Sequence, residues 1–584
     1  MSLYEPTQHP GRQALQQWEA AKPRNYYTSD TSFQRWLRLY LGETLDAHEE
    51  AFSAFGETVA TVIGPLLKVN EQRENLPRLE RYTHIGERCE AVQFHPNYHE
   101  AGRHIWRSGI LAVQRDPGRL FEQAALFYLL THEGEGGHAC PIACTAGLIR
   151  ALQQHGSDDL KARYLPPLLE RDYDRAHRGA QFLTEIQGGS DVGANIVRAE
   201  PAVEYPGAWR ITGEKWFCSV IDADQFLMTA RPVGAPAGTK GLGCFLVPRR
   251  LPDGSLNRFF VRRLKDKLGT RLMASAETDF DGALAWPIGE LSQGFKIAVG
   301  LVLNTSRWMN ALACAGIMRR AFIEADTFAT YREAFGAPIR RYPMVQENLA
   351  FIRVLTEAAL ASTLALTAIF NRLDDGLATP ADKAVFRFLV NANKYITAVD
   401  ASEAVHRAID VLGGNGAIED FSILPRLYRD QVVLENWEGT PNVLALQVMR
   451  DLARLNLVEP VVATLRAWLA EVNAPALAAE KRSTEAALEA VLPPLGVALT
   501  ATDQMQAHAR RLTERLMRVV QATLLLRRAQ WDIQQGAPTD MPDVAGLFIK
   551  RFLVPGYDPL GDAEWTTRLA RLTTPLTDTL AVTS

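Results

Sequence analysis

Thr184-Glu185-Ile186-Gln187-Gly188-Gly189-Ser190-Asp191 follows a strand-like run and opens a stretch whose texture differs from both flanks. From Gln181 to Ile288, short β-rich runs alternate with turn formers. The runs are Trp209-Arg210-Ile211, Gln225 to Arg231, Cys244 to Val247 and Phe259-Phe260-Val261; Pro206-Gly207, Thr212-Gly213 and Pro252-Asp253-Gly254 lie between them. That alternation predicts a small sheet or barrel. Residues 1–178 read mainly as helices broken by Pro and Gly, such as the run Ala146, Leu148, Ile149, Ala151, Leu152, stopped near Gly156. Helices return near Gly294. Leu349, Ile352, Leu355, Ala359 and Leu364 keep the helical period, and the next helix opens with Thr379 as cap and Pro380 at its first position, then ends at Gly413-Gly414. The tail is helical again, with breaks expected at Pro493-Pro494 and at 536–543. The expected organisation is an N-terminal helical domain (1–178), a β domain (179–290), a helical bundle (291–455) and a further helical domain (456–584).

The chain has 584 residues, 47% hydrophobic and 22% charged, a composition that excludes disordered and collagen-like classes. Its formal charge of −4 sets up no global field for nucleic acid or anionic membrane. No apolar stretch approaches the roughly 18 residues of a membrane span, and the opening MSLYEPTQHPGRQ lacks the order of a signal peptide. Six scattered Cys make no disulfide framework. A cytoplasmic setting is expected.

The motifs that carry chemistry are individually ambiguous. In 184–191 two glycines permit close backbone approach and Ser190 adds a hydroxyl, a phosphate-binding pattern that is more often a plain polar turn. Lys215-Trp216-Phe217-Cys218-Ser219 offers an aromatic face and a hydroxyl for a planar ring, yet a half-buried strand reads the same way. Arg332 with Phe335-Gly336 and Gln346 joins a guanidinium to a turn; Leu412-Gly413-Gly414-Asn415-Gly416 reads equally as a helix C-cap. Trp437-Glu438-Gly439-Thr440 sets a carboxylate beside an apolar ring, which suits a general base, although a solvated loop Glu is the commoner case. His95, His99 and His104 are not expected to bind metal, since Pro96 argues against a helix there. Cys140 and Cys144 read as small buried residues.

Their order is specific where each alone is not. TExxGGSD, KWFxS, KLGTR at 267–271, RxxFG, LGGNG and WEGT run in the sequence of the acyl-CoA dehydrogenase superfamily, and the segments from about 80 to 455 resemble this flavoprotein family. Phe94-His95-Pro96-x-x-His99, Lys215-Trp216-Phe217, Leu264 to Gly269 and the extra C-terminal helices are most similar to its AidB-type branch.

The resemblance implies a mainly α fold with a β-barrel middle domain plus an extra C-terminal helical domain, with FAD between barrel and bundle. It implies that Leu183 and Thr184 face the pyrimidine side of the flavin, that Gly189 and Ser190 meet the pyrophosphate or the thioester region, and that Phe217 and Ser219 cover the flavin near N5. Arg332, Phe335 and Gln346 resemble contacts from a second subunit, Gly413 and Gly414 lie beside that chain, and Thr440 and Asn442 follow the base. Glu438 matches that base. Ser190, Arg307 and Gly439 fall on the substrate side. The implied partners are an acyl-CoA, an electron-transfer flavoprotein and further copies of the chain in a tetramer. The chain departs from the family in three places. Ala408-Ile409-Asp410 stands where a Gln is usual, Gln181 replaces an aromatic, and Asn304-Thr305-Ser306-Arg307 keeps the cation of an Asp-x-x-Arg pair and loses its acid.

Two functions follow. The first is FAD-dependent dehydrogenation of an acyl-CoA to a trans-2-enoyl-CoA. The second is an AidB-like, DNA-associated flavoprotein with weak or vestigial dehydrogenase activity. Residues 456–584 hold 13 Lys+Arg and 14 Asp+Glu, which counts against DNA. Arg511, Arg515 and Arg518 nevertheless share a helical face, expected to be solvated or used in subunit salt bridges.

Overall fold

The structure is a computed structural model that describes residues 9–536 and 538–574. It divides into two compact units. One comprises Ala54–Thr131 and Glu135–Asn310; the other comprises, among the described residues, those up to Ser53, His132–Gly134 and those from Ala311 onward.

The first of these units holds a hairpin of Arg78–Tyr82 (β1) with Arg88–Gln93 (β2), where helix was expected. Gly86 at φ +82 turns the hairpin, and its buried Glu90 accepts the Val261 amide proton at 3.0 Å, so the hairpin is pinned to the sheet beyond. That sheet has seven strands: Gly179–Phe182 (β3), Arg198–Pro201 (β4), Trp209–Ser219 (β5), Gln225–Pro232 (β6), Gly243–Pro248 (β7), Phe259–Leu264 (β8) and Ser275–Pro287 (β9). The order is β3-β6-β4-β5-β9-β7; β7 pairs back onto β6 and closes the ring, and β8 joins at β9. The four β runs expected from sequence fall in β5 to β8. The longest strand, β9, was not singled out, because Glu277, Asp279, Asp281 and Gly282 interrupt its apolar pattern. Pairing along both edges, to β5 and β8, holds it extended. Phe182, Phe226 and Phe259 fill the interior, with Phe182 and Phe226 centroids 4.8 Å apart.

The helices of this unit include Pro96–Arg107 and Ala139–His155. Pro96 does not prevent a helix: it occupies the first position, where its missing N–H costs nothing, and His95 caps the turn by accepting from the Asn97 amide at 3.2 Å. His99 meets the Tyr173 hydroxyl at 3.1 Å and His104 lies 3.4 Å from Glu100. Cys140 and Cys144 are buried, as expected.

His138, stacked on Tyr98 and donating from Nε2 to the Tyr98 carbonyl at 3.0 Å, has its pKa pushed down by burial to about 3. The native state therefore keeps this ring neutral while the unfolded chain protonates it near its ordinary value. Its contribution is complete above the unfolded pKa of roughly 6.5 and is lost as pH falls towards the native value, at up to about 1.4 kcal/mol per pH unit. Thermal melts at a series of acidic pH values should show a shallower acid slope for His138→Gln than for wild type. Parallel slopes would assign the acid sensitivity to other groups.

The second unit is helical. Pro343–Asp374 and Pro380–Leu412 pack side by side, the latter opened by a reciprocal Thr379–Asp382 capping box and closed by Gly413 at φ +61. Both boundaries agree with the sequence reading. Leu424–Asn436 and Pro441–Arg454 follow. Thr502–Gln534 ends before 536–543 as expected, but Ala478–Thr500 runs straight through Pro493-Pro494. Leu488, Val491, Leu495 and Ala498 keep one face buried across the prolines, and packing against Thr502–Gln534 outweighs the lost backbone bonds. Two helical stretches, Thr31–Asn70 and Pro343–Asp374, contain windows long and apolar enough by composition to cross a membrane, where the sequence reading expected none. The Pro343–Asp374 window is 94% buried and forms the core of its own unit.

The arginine face also needs correction. Arg518 is buried, forms two 2.6 Å hydrogen bonds with Asp400, and lies 4.1 Å over the Phe552 ring. Arg528 is buried against Asp532 and Trp36. Arg511 and Arg515 are exposed, as is the neighbouring Arg510.

Candidate functional site

In the barrel unit three motifs converge. Thr184 accepts the Trp216 amide proton at 3.0 Å, which ties the TExxGGSD turn to β5. Buried Lys215 then donates to Glu185 Oε1 at 3.0 Å and to the Leu183 carbonyl at 3.1 Å. Glu185 also accepts from the amides of Ile196 (2.7 Å) and Val197 (3.2 Å), and Asn195 donates to Leu183 at 2.8 Å. Burial lowers the Lys215 pKa, opposed by Glu185. Glu185 and Lys215 thus shape the turn. The sequence reading singled out neither as a site residue, although both stand inside its motifs.

The turn needs its glycine. A Cβ on Gly189 would lie 2.4 Å from Thr184 Oγ1, so the chain doubles back with no room for a side chain. Ser190 next to it is exposed.

The β5–β9 register shifts between Lys215 and Cys218, a bulge that turns the Phe217 ring outward until it is 50% exposed. Lys265 sits 3.7 Å over Trp216 and 4.8 Å over Phe217, held at 2.8 Å by Glu277, whose pKa falls to about 2 through hydrogen bonds from Arg263 and Lys265. Ser219 meets Ser275 at 3.1 Å, and Lys267, first residue of KLGTR, donates to the same Ser275 at 3.2 Å. Arg307 is buried and donates to Asn304 at 3.3 Å, so the amide that replaces the acid still engages the cation.

In the helical unit the remaining residues occupy two places. Arg332 and Asn415 line one cavity of about 360 Å³ with Arg12, Trp18 and Phe328. Phe335 stands at the tip of a small hairpin at φ +53 and is 98% exposed. Tyr342 donates to the Ala334 carbonyl at 2.7 Å, and Gln346 lies on the first turn of the helix that follows. A Cβ on Gly413 or Gly414 would meet nothing within 4 Å, whereas one on Gly416 would strike the Ile409 carbonyl at 2.5 Å. Asp410, where the family has Gln nearby, accepts from Asn348 at 2.9 Å.

The second place is the link between Leu424–Asn436 and Pro441–Arg454. Trp437 leaves the helix extended, Glu438 takes φ +56 and Gly439 φ +113. Thr440 then caps the next helix, accepting from the Val443 amide at 3.5 Å, with Asn442 exposed on its first turn. The left-handed conformation is uncommon for a non-glycine residue and clusters at functional positions. Half-buried Glu438 is presented from it, between two rigid helices. Buried Lys394 donates to the carbonyls of Glu435 (2.9 Å) and Gly439 (3.0 Å), one on each side of Glu438. Sequence reading did not pick out Lys394; its signal is a lone Lys amid the apolar Val390, Ala392, Ile396 and Ala398.

Three family models match this chain: the acyl-CoA dehydrogenase middle domain over 180–283, its C-terminal domain over 292–453, and the adaptive response protein AidB N-terminal domain over 16–175. AidB of Escherichia coli (strain K12) is 35% identical over 410 residues, 68% of this chain and 72% of AidB. Acyl-CoA dehydrogenase family member 11 of Caenorhabditis elegans is 30% identical over 439 residues, 73% and 70% of the two chains. The structure of Caenorhabditis elegans ACDH-11 in complex with C11-CoA superposes with a TM-score of 0.85 at 27% identity and covers 93% of each chain. Butyryl-CoA dehydrogenase from Megasphaera elsdenii, at 20% identity, shares the fold with a TM-score of 0.57 over 70% of this chain and 98% of its own. The chain belongs to the acyl-CoA dehydrogenase family, FAD-dependent oxidoreductases that act on acyl-CoA, and carries the AidB-type N-terminal domain.

Proposed function

We propose that this protein dehydrogenates an acyl-CoA between Cα and Cβ to a trans-2-enoyl-CoA, with FAD as cofactor and an electron-transfer flavoprotein as electron acceptor. The observation that carries the reading is Glu438, a half-buried carboxylate held in a left-handed turn between two helices. The four domains expected from sequence, and assembly as a tetramer, belong to the same proposal.

The residues present fit the cofactor. Phe217 offers an outward flat ring beside the Ser219 hydroxyl, Gly413 and Gly414 leave bare backbone, and Arg332 brings a guanidinium to a cavity. In this reading Leu183, Thr184, Gly189, Ser190, Phe217 and Ser219 hold the flavin side. Arg332, Phe335 and Gln346 serve the cofactor of a second copy, with Gly413, Gly414, Thr440 and Asn442 completing the set. When bound, FAD supplies the hydride acceptor. The chain does the rest. Glu438 accepts the α-proton while its backbone N–H donates to the thioester oxygen, so charge is stabilised only as it develops. Arg307, Ser190 and Gly439 position the substrate.

The test is turnover of acyl-CoAs of graded chain length with an artificial electron acceptor. Turnover of at least one chain length above the apo-protein background is expected. No turnover with any of them would refute the proposal.

The AidB-type branch, matched over 16–175, keeps the second reading from sequence as the competing role, association with DNA. Arg518 is consumed by Asp400 and is not available to a phosphate. Duplex binding is therefore expected to be weak near physiological salt, with affinity falling by a log–log slope of about −0.9 per phosphate neutralised. Submicromolar binding there, lost when Arg510, Arg511 and Arg515 become Ala, would favour the competing role instead.

A further inference from the structure

We infer that Lys394 is the positioning residue for Glu438, its ammonium fixing the turn from which the carboxylate acts. The inference rests on the proposed dehydrogenase reading. Glu435 lies in the last turn of Leu424–Asn436, where carbonyls have no intrahelical donor and a cation is favoured. Gly439 immediately follows Glu438 and precedes the cap of the next helix. Lys394 Nζ spans these carbonyls at 2.9 and 3.0 Å from a position with no solvent exposure. Three residues separate the two bonded carbonyls, and Glu438 at φ +56 is among them.

An ammonium suits this task better than any neutral side chain. It carries three donors arranged tetrahedrally, so one nitrogen reaches both a carbonyl at a helix end and one in the turn beyond it. Bonds from a charged donor are stronger than neutral ones, and a dry site strengthens them further. The Lys394 stem lies in the middle of Pro380–Leu412, a helix buried over most of its length, so the nitrogen is held by a rigid support. Ser402, two turns on along the same helix, donates to the Glu435 carboxylate at 2.9 Å and adds a second tie to the same helix end. Without the ammonium the turn is free to relax from its left-handed conformation and the carboxylate loses its aim. Small displacements of this kind cost rate rather than affinity.

The test uses the full-length FAD-loaded protein, with acyl-CoA as probe and rates expressed per bound FAD. Lys394→Met is expected to lower kcat at least about tenfold, with KM changed by less than about threefold. On a Glu438→Gln background the same substitution should cause no further loss, because the two residues act as one unit. A kcat at the wild-type level, or an equal fractional loss on the Glu438→Gln background, would overturn the inference. If Lys394→Met does not accumulate as FAD-loaded protein, Lys394→Gln, uncharged but hydrogen-bonding, carries the same test with the same outcomes. Failure of the dehydrogenase reading is separately visible: Glu438→Gln alone would then reduce its flavin at the wild-type rate.

Discussion

Glu438→Gln should slow reduction of the flavin by acyl-CoA at least about 10²-fold, the lower end of what a positioned acid–base group contributes. The amide keeps the shape of the side chain and the backbone N–H, so FAD content and acyl-CoA affinity should survive. It has no oxygen basic enough to take the α-proton. Because that transfer belongs to the transition state, the loss should appear in kcat and leave KM nearly untouched. Rapid-mixing absorbance of the flavin under anaerobic conditions reads the rate directly. A wild-type rate in Glu438→Gln would mean that another group is the base or that the protein is not a dehydrogenase.

The second large effect concerns stability. Lys215→Met should destabilise the barrel unit by about 3 kcal/mol, the lower end for breaking a buried ion pair. Glu185 would remain buried with the Ile196 and Val197 amides as donors, which moderates the penalty. The Leu183 carbonyl would lose its contact with Lys215 and keep the one with Asn195. The TExxGGSD turn should loosen, so FAD retention through gel filtration should fall along with the thermal midpoint. Pairing the change with Glu185→Gln removes the stranded charge and should recover part of the stability. If Lys215→Met melts and holds FAD like wild type, the pair does not organise the turn.

What was legible in the sequence was local. Thr379-Pro380 and Gly413 bound a helix through chemistry within one turn, and the structure places that helix at Pro380–Leu412. The β-rich texture after Gln181 marked the barrel, since alternating runs and turn formers act over a few residues. Tertiary packing overrode local signals elsewhere. Pro493-Pro494 reads as a break, yet one buried face holds the helix intact. A helical projection put Arg518 on a face with Arg511 and Arg515, but could not reveal that Asp400, 118 positions away, waits inside. The site divides in the same way. The motif order pointed to Glu438, whereas its left-handed turn and the reach of Lys394 across 45 positions to Gly439 exist only after folding.

The most direct test of the account is a single anaerobic turnover of the FAD-loaded protein with a limiting amount of acyl-CoA. Flavin absorbance and the mass of the CoA product are followed together. Bleaching that matches the acyl-CoA added, mole for mole, and a product lighter by two hydrogens are expected. Flavin that stays oxidised with every acyl chain, with the acyl-CoA recovered unchanged, would contradict it.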